Sequence, residues 1–341
     1  MTAPCLAITM GDPAGIGPEI IVKAARRLRP RLDGGELRLL VIGHRTALLR
    51  AAQGSEVAFP DLVGEPPPLS LLAAGEEREP IVTGRISPEA GRFSYLAVEK
   101  AVELAKQGTI DAIVTAPLNK DALNRAGYHY AGHTDMLAAL TGVASSTMLL
   151  AHGDMRVTHV TTHVALEDVP KLLTPERLRR TIDITHQAML DLGIARPRIA
   201  IAALNPHAGE GGLFGRQDIE VSTPVIEAYR AQGWDIQGPV PGDTVFVKLR
   251  ARQYDAVVAM YHDQGHIPVK LLGFNVDPDT GEWKALSGIN VTLGLPIIRT
   301  SVDHGTAFDI AGKGIANEDS LVEAIDYALR LAAVRKSRAA S

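Results

Sequence analysis

Short apolar runs alternate with longer amphipathic stretches along the chain. Several runs are continuously apolar, which is typical of strands that helices bury on both faces. They predict strands at Leu6–Met10, Leu37–Ile42, Ala112–Thr115, Arg156–Thr162, Arg198–Leu204, Ala256–Tyr261 and Ile297–Thr300. Helices are predicted at Glu19–Leu28, Pro88–Gln107, Asp121–Ala126, Thr134–Leu140, Pro175–Leu192, Pro224–Gln232 and Asp319–Ala333. This alternation predicts an α/β fold with a largely parallel sheet.

Two segments interrupt the alternation. Residues 51–80 are rich in loop-forming residues and predict a surface excursion. Residues 274–288 contain the turn sequence Asp277–Gly281 between apolar flanks, which predicts a hairpin.

Composition narrows the class of protein. The chain has 341 residues, 46% of them hydrophobic, which allows two lobes with sizeable cores. The net charge of −4 and the absence of a basic stripe argue against a nucleic-acid partner. No apolar run reaches the ~20 residues of a membrane span, and no signal peptide is evident. The lone Cys5 has no partner for an internal disulfide. We therefore expect a cytoplasmic protein that binds neither nucleic acid nor membranes.

Three histidines each follow a predicted strand. They are His163, His207 and His262. Ligands of open α/β sheets bind at the carboxyl ends of the strands. Three imidazoles at that edge could converge on one divalent metal ion. His159 lies inside a strand, where a hydrogen-bonded interior histidine is expected.

The first loop, Met10–Glu19, joins the first strand to the first helix. Its glycines allow close backbone approach, and Pro18 suits the first position of a helix. The spacing is not G-x-G-x-x-G, so the Rossmann fingerprint is absent. A tight strand-to-helix turn without a ligand is the alternative.

A second motif, Gly132–Asp135, falls at a predicted helix start. Free backbone N–H groups there favour an anion, so His133 and Thr134 are candidates to bind a phosphate or carboxylate. The alternative is that Thr134 only caps the helix.

Two polar segments follow later strands. Tyr261–Lys270 carries several ionisable groups in a predicted loop, which indicates a site, although a solvated polar loop is the alternative. Ser301–Gly314 is rich in glycine, and its backbone could cradle a nucleotide or a phosphate. His266 is expected to be a hydrogen-bonding loop residue rather than a fourth metal ligand.

Together these motifs resemble the 4-hydroxythreonine-4-phosphate dehydrogenase family of vitamin B6 biosynthesis. The chain also resembles, more distantly, the isocitrate and isopropylmalate dehydrogenases. The motifs that carry the first resemblance are Ile8–Gly15, Gly132–Thr134, Asn205–His207, Tyr261–Gly265 and Ser301–Ala307, and those that carry the second are Gly15–Glu19 and His304–Lys313.

The resemblance implies a two-lobed fold like that of isocitrate dehydrogenase, without a Rossmann domain. Residues 1–130 and 300–341 would bind the cofactor, and residues 131–299 would bind the metal and form a homodimer. The active site would lie in the cleft between the lobes and take metal ligands from both subunits. The implied reaction is a metal-dependent, NAD- or NADP-linked oxidation of 4-phosphooxy-L-threonine to a β-keto acid, which then loses CO2.

Residue roles follow by motif match. The implied metal ligands are His163, His207 and His262. Substrate contacts are implied for His133, Thr134, Lys270, Asn290 and Arg299, and cofactor contacts for Gly11, Asp12, His304, Gly305, Thr306 and Asp309. Asp243, Asp263 and Lys270 are candidate catalytic residues that orient ligands or relay a proton.

One departure bears on the substrate. The connection between Lys270 and Asn290 is longer than the family pattern and resembles a second branch, which oxidises D-threonate and D-erythronate 4-phosphates. The Gly132–Thr134 motif argues against the related terephthalate dihydrodiol dehydrogenases. The metal stays open among zinc, magnesium, cobalt and manganese, with three histidines favouring zinc or cobalt. A phosphate acyltransferase of related fold and a non-catalytic phosphosugar-binding protein are the remaining alternatives.

Overall fold

The computed structural model describes residues 3–64, 67–143, 146–280 and 283–340. The chain forms two compact units. The first unit comprises residues 1–146 and 285–341, and the second comprises residues 147–284. These bounds place His133, Thr134, Asn290 and Arg299 in the first unit. The assignment of cofactor and metal to different lobes stays a prediction.

Helices and strands alternate, so the predicted α/β class is confirmed. The strands are β1 (Cys5–Thr9), β2 (Arg38–Gly43), β3 (Leu69–Ala73), β4 (Ala112–Thr115), β5 (Thr147–His152), β6 (Met155–His159), β7 (Ile199–Ala202), β8 (Ile236–Val240), β9 (Ala256–Ala259), β10 (Phe274–Val276), β11 (Trp283–Leu286), β12 (Ile289–Leu293) and β13 (Arg299–Val302). The helices are α1 (Gly17–Arg27), α2 (Arg29–Asp33), α3 (Arg45–Ala51), α4 (Pro88–Lys106), α5 (Lys120–Arg125), α6 (His133–Thr141), α7 (Val169–Leu172), α8 (Pro175–Asp191), α9 (Thr223–Arg230), α10 (Gly242–Arg250), α11 (His262–Gly273) and α12 (Asp319–Ala340).

In the first unit the strands lie in the order β3-β2-β1-β4-β13-β12. Neighbouring strands are parallel except for the antiparallel pair β12–β13. The register sets Thr9 beside Thr115, Thr115 beside Ser301, and Ser301 beside Asn290. Register partners share a face of the sheet, so four polar side chains form one row across β1, β4, β13 and β12.

In the second unit the order is β5-β6-β9-β7-β8. Only the β5–β6 pair is antiparallel among these neighbours. The strands that precede the three candidate metal ligands, β6, β9 and β7, are therefore parallel neighbours. Their carboxyl ends lie on the same edge of the sheet, as the sequence predicts.

Local capping explains where several helices begin. Ser87 accepts a hydrogen bond from the Ala90 amide, and Pro88 occupies the first position of α4, which fits the preferences of a helix start. The side chains of Asn119 and Thr174 accept equivalent bonds at the starts of α5 and α8. The apolar faces of these helices cover the sheets, and side chains such as Phe93 and Leu178 are fully buried.

The loop predicted at Tyr261–Lys270 is a helix instead, so that prediction is wrong. α11 begins at His262 and includes Gly265 and Pro268, two residues that normally disfavour helix interiors. A Cβ on Gly265 would lie 2.3 Å from His159 Nε2, so only glycine lets α11 pack this closely on β6. Close packing between elements overrides the local propensity here.

The predicted hairpin at 274–288 is present as a two-stranded sheet of β10 and β11. Gly281, the last residue of the predicted turn, and Glu282 lie outside the described residues. In the part of the chain that the structure describes, no helix combines the length and the apolar character needed to span a bilayer.

Candidate active site

A cavity of about 160 Å³ opens in the first unit beyond the carboxyl ends of β4 and β13. We call it the first-unit cavity. It is lined by Thr115, Ala116, Pro117, Leu118, Lys120, Gly132, His133, Ser301, Val302 and His304. The position agrees with the general rule for ligand sites in parallel α/β sheets.

Arg299 lies behind this cavity and is 4% exposed. Its guanidinium donates hydrogen bonds to Thr115 Oγ1 at 2.6 Å and to Thr292 Oγ1 at 2.8 Å, while its Nε has no partner in the part of the chain that the structure describes. Among the described residues no carboxylate pairs with it. Burial lowers the pKa of Arg299 to about 9. Burying a cation without a paired carboxylate lowers the stability of the fold. The position of Arg299 is therefore that of a residue that binds an anionic ligand.

His133 is the first residue of α6. Burial, and then the nearby charge of Arg299, lower the pKa of the imidazole well below its usual value. The ring is therefore neutral, and its buried Nε2 has no hydrogen-bond partner within the described ranges. The N-cap is Gly132, which offers no side chain, and Thr134 lies inside the helix. The alternative that Thr134 caps the helix is wrong, and the first-turn amides remain available to an anion.

His304 also presents a neutral ring. Burial lowers its pKa. Its Nδ1 lies 3.1 Å from the Gly305 carbonyl oxygen, so Nδ1–H donates there. A neutral imidazole carries one N–H, so the buried and unpartnered Nε2 holds a lone pair.

Buried polar atoms without partners are concentrated around the first-unit cavity. Folded proteins leave few such atoms, so a cluster of them indicates a ligand-binding site. Asn290 Nδ2, for example, donates to Asp303 at 2.9 Å, but its Oδ1 has no partner. The set comprises Thr9 Oγ1, Asp12 Oδ2, His133 Nε2, Asn290 Oδ1, Arg299 Nε and His304 Nε2.

The first loop packs directly against neighbouring backbone. A Cβ on Gly11 would lie 2.1 Å from the Pro117 carbonyl oxygen, and Gly11 has a φ of +68°, so the position requires glycine. Asp12 is fully buried and accepts a hydrogen bond from the Ala14 amide. Burial raises the pKa of Asp12 to about 6.

The same loop contacts the loop that follows β13. The Ile16 amide donates to the Thr306 carbonyl oxygen at 3.0 Å. A Cβ on Gly15 would come within 2.8 Å of that oxygen. The two segments that were expected to bind the cofactor therefore meet. Gly305 and Asp309 of the second segment are exposed.

In the second unit two of the three candidate metal ligands lie close together. The ring centroids of His163 and His262 are 5.7 Å apart. His262 Nδ1 lies 2.6 Å from Asp263 Oδ1, which fixes the ring and leaves Nε2 for a ligand. Carboxylates commonly orient metal-binding histidines in this way.

His207 does not join this pair within the chain. It lies in a tight turn, Pro206–Gly212, and is exposed. Within the described residues, no group of three or more His, Cys, Asp or Glu side chains is arranged to hold a metal ion. One chain therefore supplies two converging imidazoles and one that stands apart.

The turn that carries His207 has an unusual backbone. His207, Ala208 and Glu210 have φ angles of 50°, 54° and 44°, a left-handed region that non-glycine residues seldom adopt. The turn is anchored at its start, because buried Asp218 accepts hydrogen bonds from the Leu204 and Asn205 amides at 2.8 and 2.9 Å. Strain held by such anchors is typical of ligand-binding loops.

A larger cavity of about 670 Å³ lies beside this turn; we call it the second-unit cavity. His207, Asp243 and Asp263 all line it. Asp243 is in the first turn of α10 and is exposed. Lys270 is on α11, with Nζ 5.2 Å from the Phe274 ring centroid.

Sequence reasoning missed a histidine cluster behind His262. The His262 and His266 rings stack at 3.7 Å, and the His266 and His159 rings are 4.7 Å apart. His159 is buried, so the expected interior position is confirmed, but among the described residues neither ring nitrogen has a well-formed hydrogen bond, so the expected hydrogen bonding is wrong. Burial, and then the two neighbouring histidines, lower the pKa of His159 to about 3.

Reasoning from the sequence also missed Thr115, Lys120, Thr292 and Ser301. The alternation Arg299-Thr300-Ser301 places Arg299 and Ser301 on one face of a strand, and it is the signal that could have pointed to Ser301.

Comparisons with known proteins identify relatives that match nearly the whole chain. The family model described as pyridoxal phosphate biosynthetic protein PdxA matches residues 36–328. The chain is 68% identical over 338 residues to the "Putative D-threonate 4-phosphate dehydrogenase" of Bradyrhizobium diazoefficiens, covering 98% of both chains. It is 47% identical over 331 residues to the 4-hydroxythreonine-4-phosphate dehydrogenase of Beijerinckia indica, covering 96% of this chain and 94% of the relative. The crystal structure of a 4-hydroxythreonine-4-phosphate dehydrogenase from Burkholderia phymatum superposes with a TM-score of 0.80 at 42% identity, covering 96% and 98%.

Proposed function

This chain belongs to the PdxA family of pyridoxal phosphate biosynthetic proteins, and we propose that its substrate is D-threonate 4-phosphate. The family predicted from the motifs is confirmed, and the chain is a dehydrogenase. The two alternatives, a phosphate acyltransferase and a non-catalytic phosphosugar-binding protein, are therefore rejected. The observation that carries the substrate proposal is the 68% identity to a relative named for D-threonate 4-phosphate, against 47% to a relative named for 4-hydroxythreonine 4-phosphate.

The long connection between Lys270 and Asn290 supports the same substrate. It contains β10 and β11, and it joins two residues that are candidates to contact the substrate. 4-Phosphooxy-L-threonine is the second candidate, because relatives with that activity in their names match nearly the whole chain. D-Erythronate 4-phosphate is chemically close to the first candidate, D-threonate 4-phosphate.

Arg299, His133 and Thr134 would bind an anionic group of the substrate. Arg299 supplies an uncompensated charge, and the start of α6 supplies free amides. Neutral His133 donates or accepts one hydrogen bond through Nε2. Asn290 Oδ1, buried and unpartnered, would accept a hydrogen bond from a substrate hydroxyl. Lys270 would supply a further positive charge.

Gly11, Asp12, His304, Gly305, Thr306 and Asp309 would hold the cofactor. The fit is supported by the close packing of the first loop on Thr306 and by the lone pair on His304 Nε2, which suits a donor N–H or O–H of a nucleotide. When bound, NAD or NADP would accept the hydride released from the hydroxyl-bearing carbon.

His163 and His262 fit two positions of a divalent metal site, and Asp263 orients His262. His207 stands apart, which agrees with the proposal that the site is completed by a second subunit of a homodimer. A bound zinc, cobalt, magnesium or manganese ion would lower the pKa of the substrate hydroxyl. Two or three imidazole ligands favour zinc or cobalt.

Asp243 and Asp263 are the groups best placed to handle a proton in this unit. Both carboxylates line the second-unit cavity. Asp263 Oδ1 accepts a hydrogen bond from His262 Nδ1–H, while the exposed Asp243 can exchange protons with solvent. The β-keto acid product of the oxidation loses CO2 readily.

Exposed apolar side chains support the homodimer. Val247, Ile267 and Leu271, on α10 and α11, are 67%, 62% and 78% exposed. Ile267 and Leu271 are four residues apart on one helix face. Exposed apolar side chains on one helix face indicate a contact surface.

A substrate panel tests the proposal. D-threonate 4-phosphate, D-erythronate 4-phosphate and 4-phosphooxy-L-threonine would each be assayed with NAD and NADP by the absorbance of the reduced cofactor. We expect kcat/KM to be highest for D-threonate 4-phosphate and to fall on chelation of the metal. A preference for 4-phosphooxy-L-threonine would replace the first candidate by the second. Turnover unaffected by a chelator would contradict the metal requirement.

A further inference from the structure

Lys120 lines the first-unit cavity without a counter-charge. It is the first residue of α5, and in the part of the chain that the structure describes it has no ion pair. The side chains that line the cavity include no aspartate or glutamate. The Lys120 stem lies beside the start of α6, since a Cβ on Gly132 would be 3.7 Å from Lys120 Cε. The ammonium therefore lies near the positive end of a nine-residue helix.

A second cation is close by. Buried Arg299 donates to Thr115 Oγ1, and Thr115 lines the cavity. Two cations and a helix N-terminus repel one another when no anion is present. Buried Arg299 Nε and His133 Nε2, both without partners, point independently to a ligand at the same place.

Thr115 links Arg299 to the cavity. An arginine only donates hydrogen bonds, so Thr115 Oγ1 is the acceptor, and its own hydroxyl hydrogen is donated to no residue that the structure describes. That hydrogen can be donated to a ligand in the cavity. The charge of Arg299 polarises the hydroxyl and strengthens such a bond.

We propose that Lys120 and Thr115 are substrate-binding residues that complete a subsite for a phosphate dianion, Lys120 through its charge and Thr115 through its hydroxyl. The inference rests on the proposed function, because the phosphate is taken to be that of the substrate. A dianion matches two cations and a helix N-terminus better than a carboxylate, which carries a single charge.

Inorganic phosphate is the probe, and thermal stabilisation of the full chain without substrate or cofactor is the readout. Lys120→Met weakens phosphate binding by ~10-fold, the usual effect of losing a charged hydrogen bond. Lys100→Met is the matched control, since Lys100 is exposed and paired with Glu103 in the same unit. The control binds phosphate as the wild type does.

Thr115 is tested by a pair of variants. Thr115→Val weakens phosphate binding by several-fold, and Thr115→Ser, which keeps the hydroxyl, restores it. Thr300→Val is the control for a buried threonine, because the Thr300 hydroxyl donates to the Ala324 carbonyl oxygen on the other face of β13. The melting temperature without phosphate reports whether each variant folds.

Three results would overturn the proposal. The first is wild-type phosphate affinity in both folded variants, Lys120→Met and Thr115→Val. The second is equal stabilisation of the wild type by phosphate and by unphosphorylated D-threonate, which would make the cavity a carboxylate subsite. The third is a loss of affinity in the folded Thr115→Ser variant that equals the loss in Thr115→Val.

With active enzyme, Lys120→Met raises KM for the phosphorylated substrate more than it lowers kcat. Failure of the wild type to oxidise any phosphorylated hydroxy acid would reject the proposed function. The phosphate titration would still show whether Lys120 and Thr115 bind phosphate.

Discussion

At the scale of single residues, the first unit keeps a charged group in its interior without an acid to balance it. Arg299 is held by two threonine hydroxyls, whereas Arg92, also largely buried, is paired with Glu89 at 2.6 Å. The contrast is the reason to expect that Arg299 binds an anion and that Arg92 supports the fold.

We expect Arg299→Met to raise the melting temperature by a few degrees, because it removes an unpaired buried charge. The same change lowers kcat/KM by about 10- to 100-fold through loss of charged hydrogen bonds to the substrate. Thermal unfolding and steady-state kinetics measure the two effects. Arg92→Met is the control and lowers stability, since it leaves Glu89 unpaired. A less stable Arg299→Met variant would contradict this account.

Asp12 makes stability depend on pH. Burial raises its pKa from 3.8 to about 6, so the folded state binds the proton more tightly than the unfolded state between those values. Its contribution to stability is present below pH 3.8 and is lost as the pH rises through about 6. Asp12→Asn keeps the acceptor for the Ala14 amide and cannot ionise.

We therefore expect Asp12→Asn and the wild type to be equally stable near pH 4. At pH 7 the variant is more stable by up to about 3 kcal/mol. Urea denaturation at the two pH values measures the difference. A difference in the free energy of unfolding that is the same at both pH values would show that Asp12 does not titrate as described.

The sequence indicated the charged and imidazole residues but not the hydroxyls that position them. His133 and Arg299 belong to residue types that attract attention in any sequence, whereas Thr115 and Thr292 gain their roles only from strand register. Register depends on which strands become neighbours, and β4 and β13 are far apart in the chain. A row of polar side chains across β1, β4, β13 and β12 therefore becomes visible only in the folded sheet.

At the scale of elements, the apolar runs predicted β1, β4, β6, β7, β9 and β13 to within a few residues, but they did not predict β12, which carries Asn290 and Thr292. α11 was missed because Gly265 and Pro268 normally break helices. The decisive cause is tertiary, since the space between α11 and His159 of β6 admits no Cβ. α10 was missed as well, although it presents Asp243 to the second-unit cavity.

This packing yields a stability prediction. Gly265→Ala lowers the free energy of unfolding by roughly 2–4 kcal/mol, because the methyl group would force α11 away from β6. Gly305→Ala is the control; a Cβ there meets no atom within 4 Å, and a change within about 0.5 kcal/mol is expected. Chemical denaturation measures both. Equal effects of the two substitutions would mean that α11 can shift without cost.

At the scale of the whole molecule, one chain brings together two of the three predicted metal ligands. His163 and His262 converge, and His207 is held in a separate, left-handed turn. A homodimer in which each site takes His207 from the other subunit accounts for this separation.

Mixing two inactive variants tests the shared site. His163→Ala and His207→Ala homodimers are each expected to be inactive. After dissociation and reassociation, a mixed dimer contains one site with all three histidines if His207 comes from the other subunit. Random mixing would then restore about a quarter of the wild-type activity. No recovery, with mixed dimers confirmed by differential tagging, would place all three ligands in one chain.

The contact surface is tested separately. Leu271→Glu introduces a charge at a 78% exposed apolar position and is expected to yield monomers in analytical ultracentrifugation. Val63→Glu is the control, because Val63 is 83% exposed in the first unit. A Leu271→Glu variant that stays dimeric would remove α11 from the interface.

The unbalanced charge of Arg299 has a consequence for the lifetime of the protein. A ligand that neutralises it adds to the free energy of unfolding, by about 2.7 kcal/mol at one hundred times its dissociation constant. The empty protein is the form that opens most often and meets proteases most often. The amount of enzyme in a cell should thus rise and fall with the supply of its phosphorylated substrate, without any dedicated regulator.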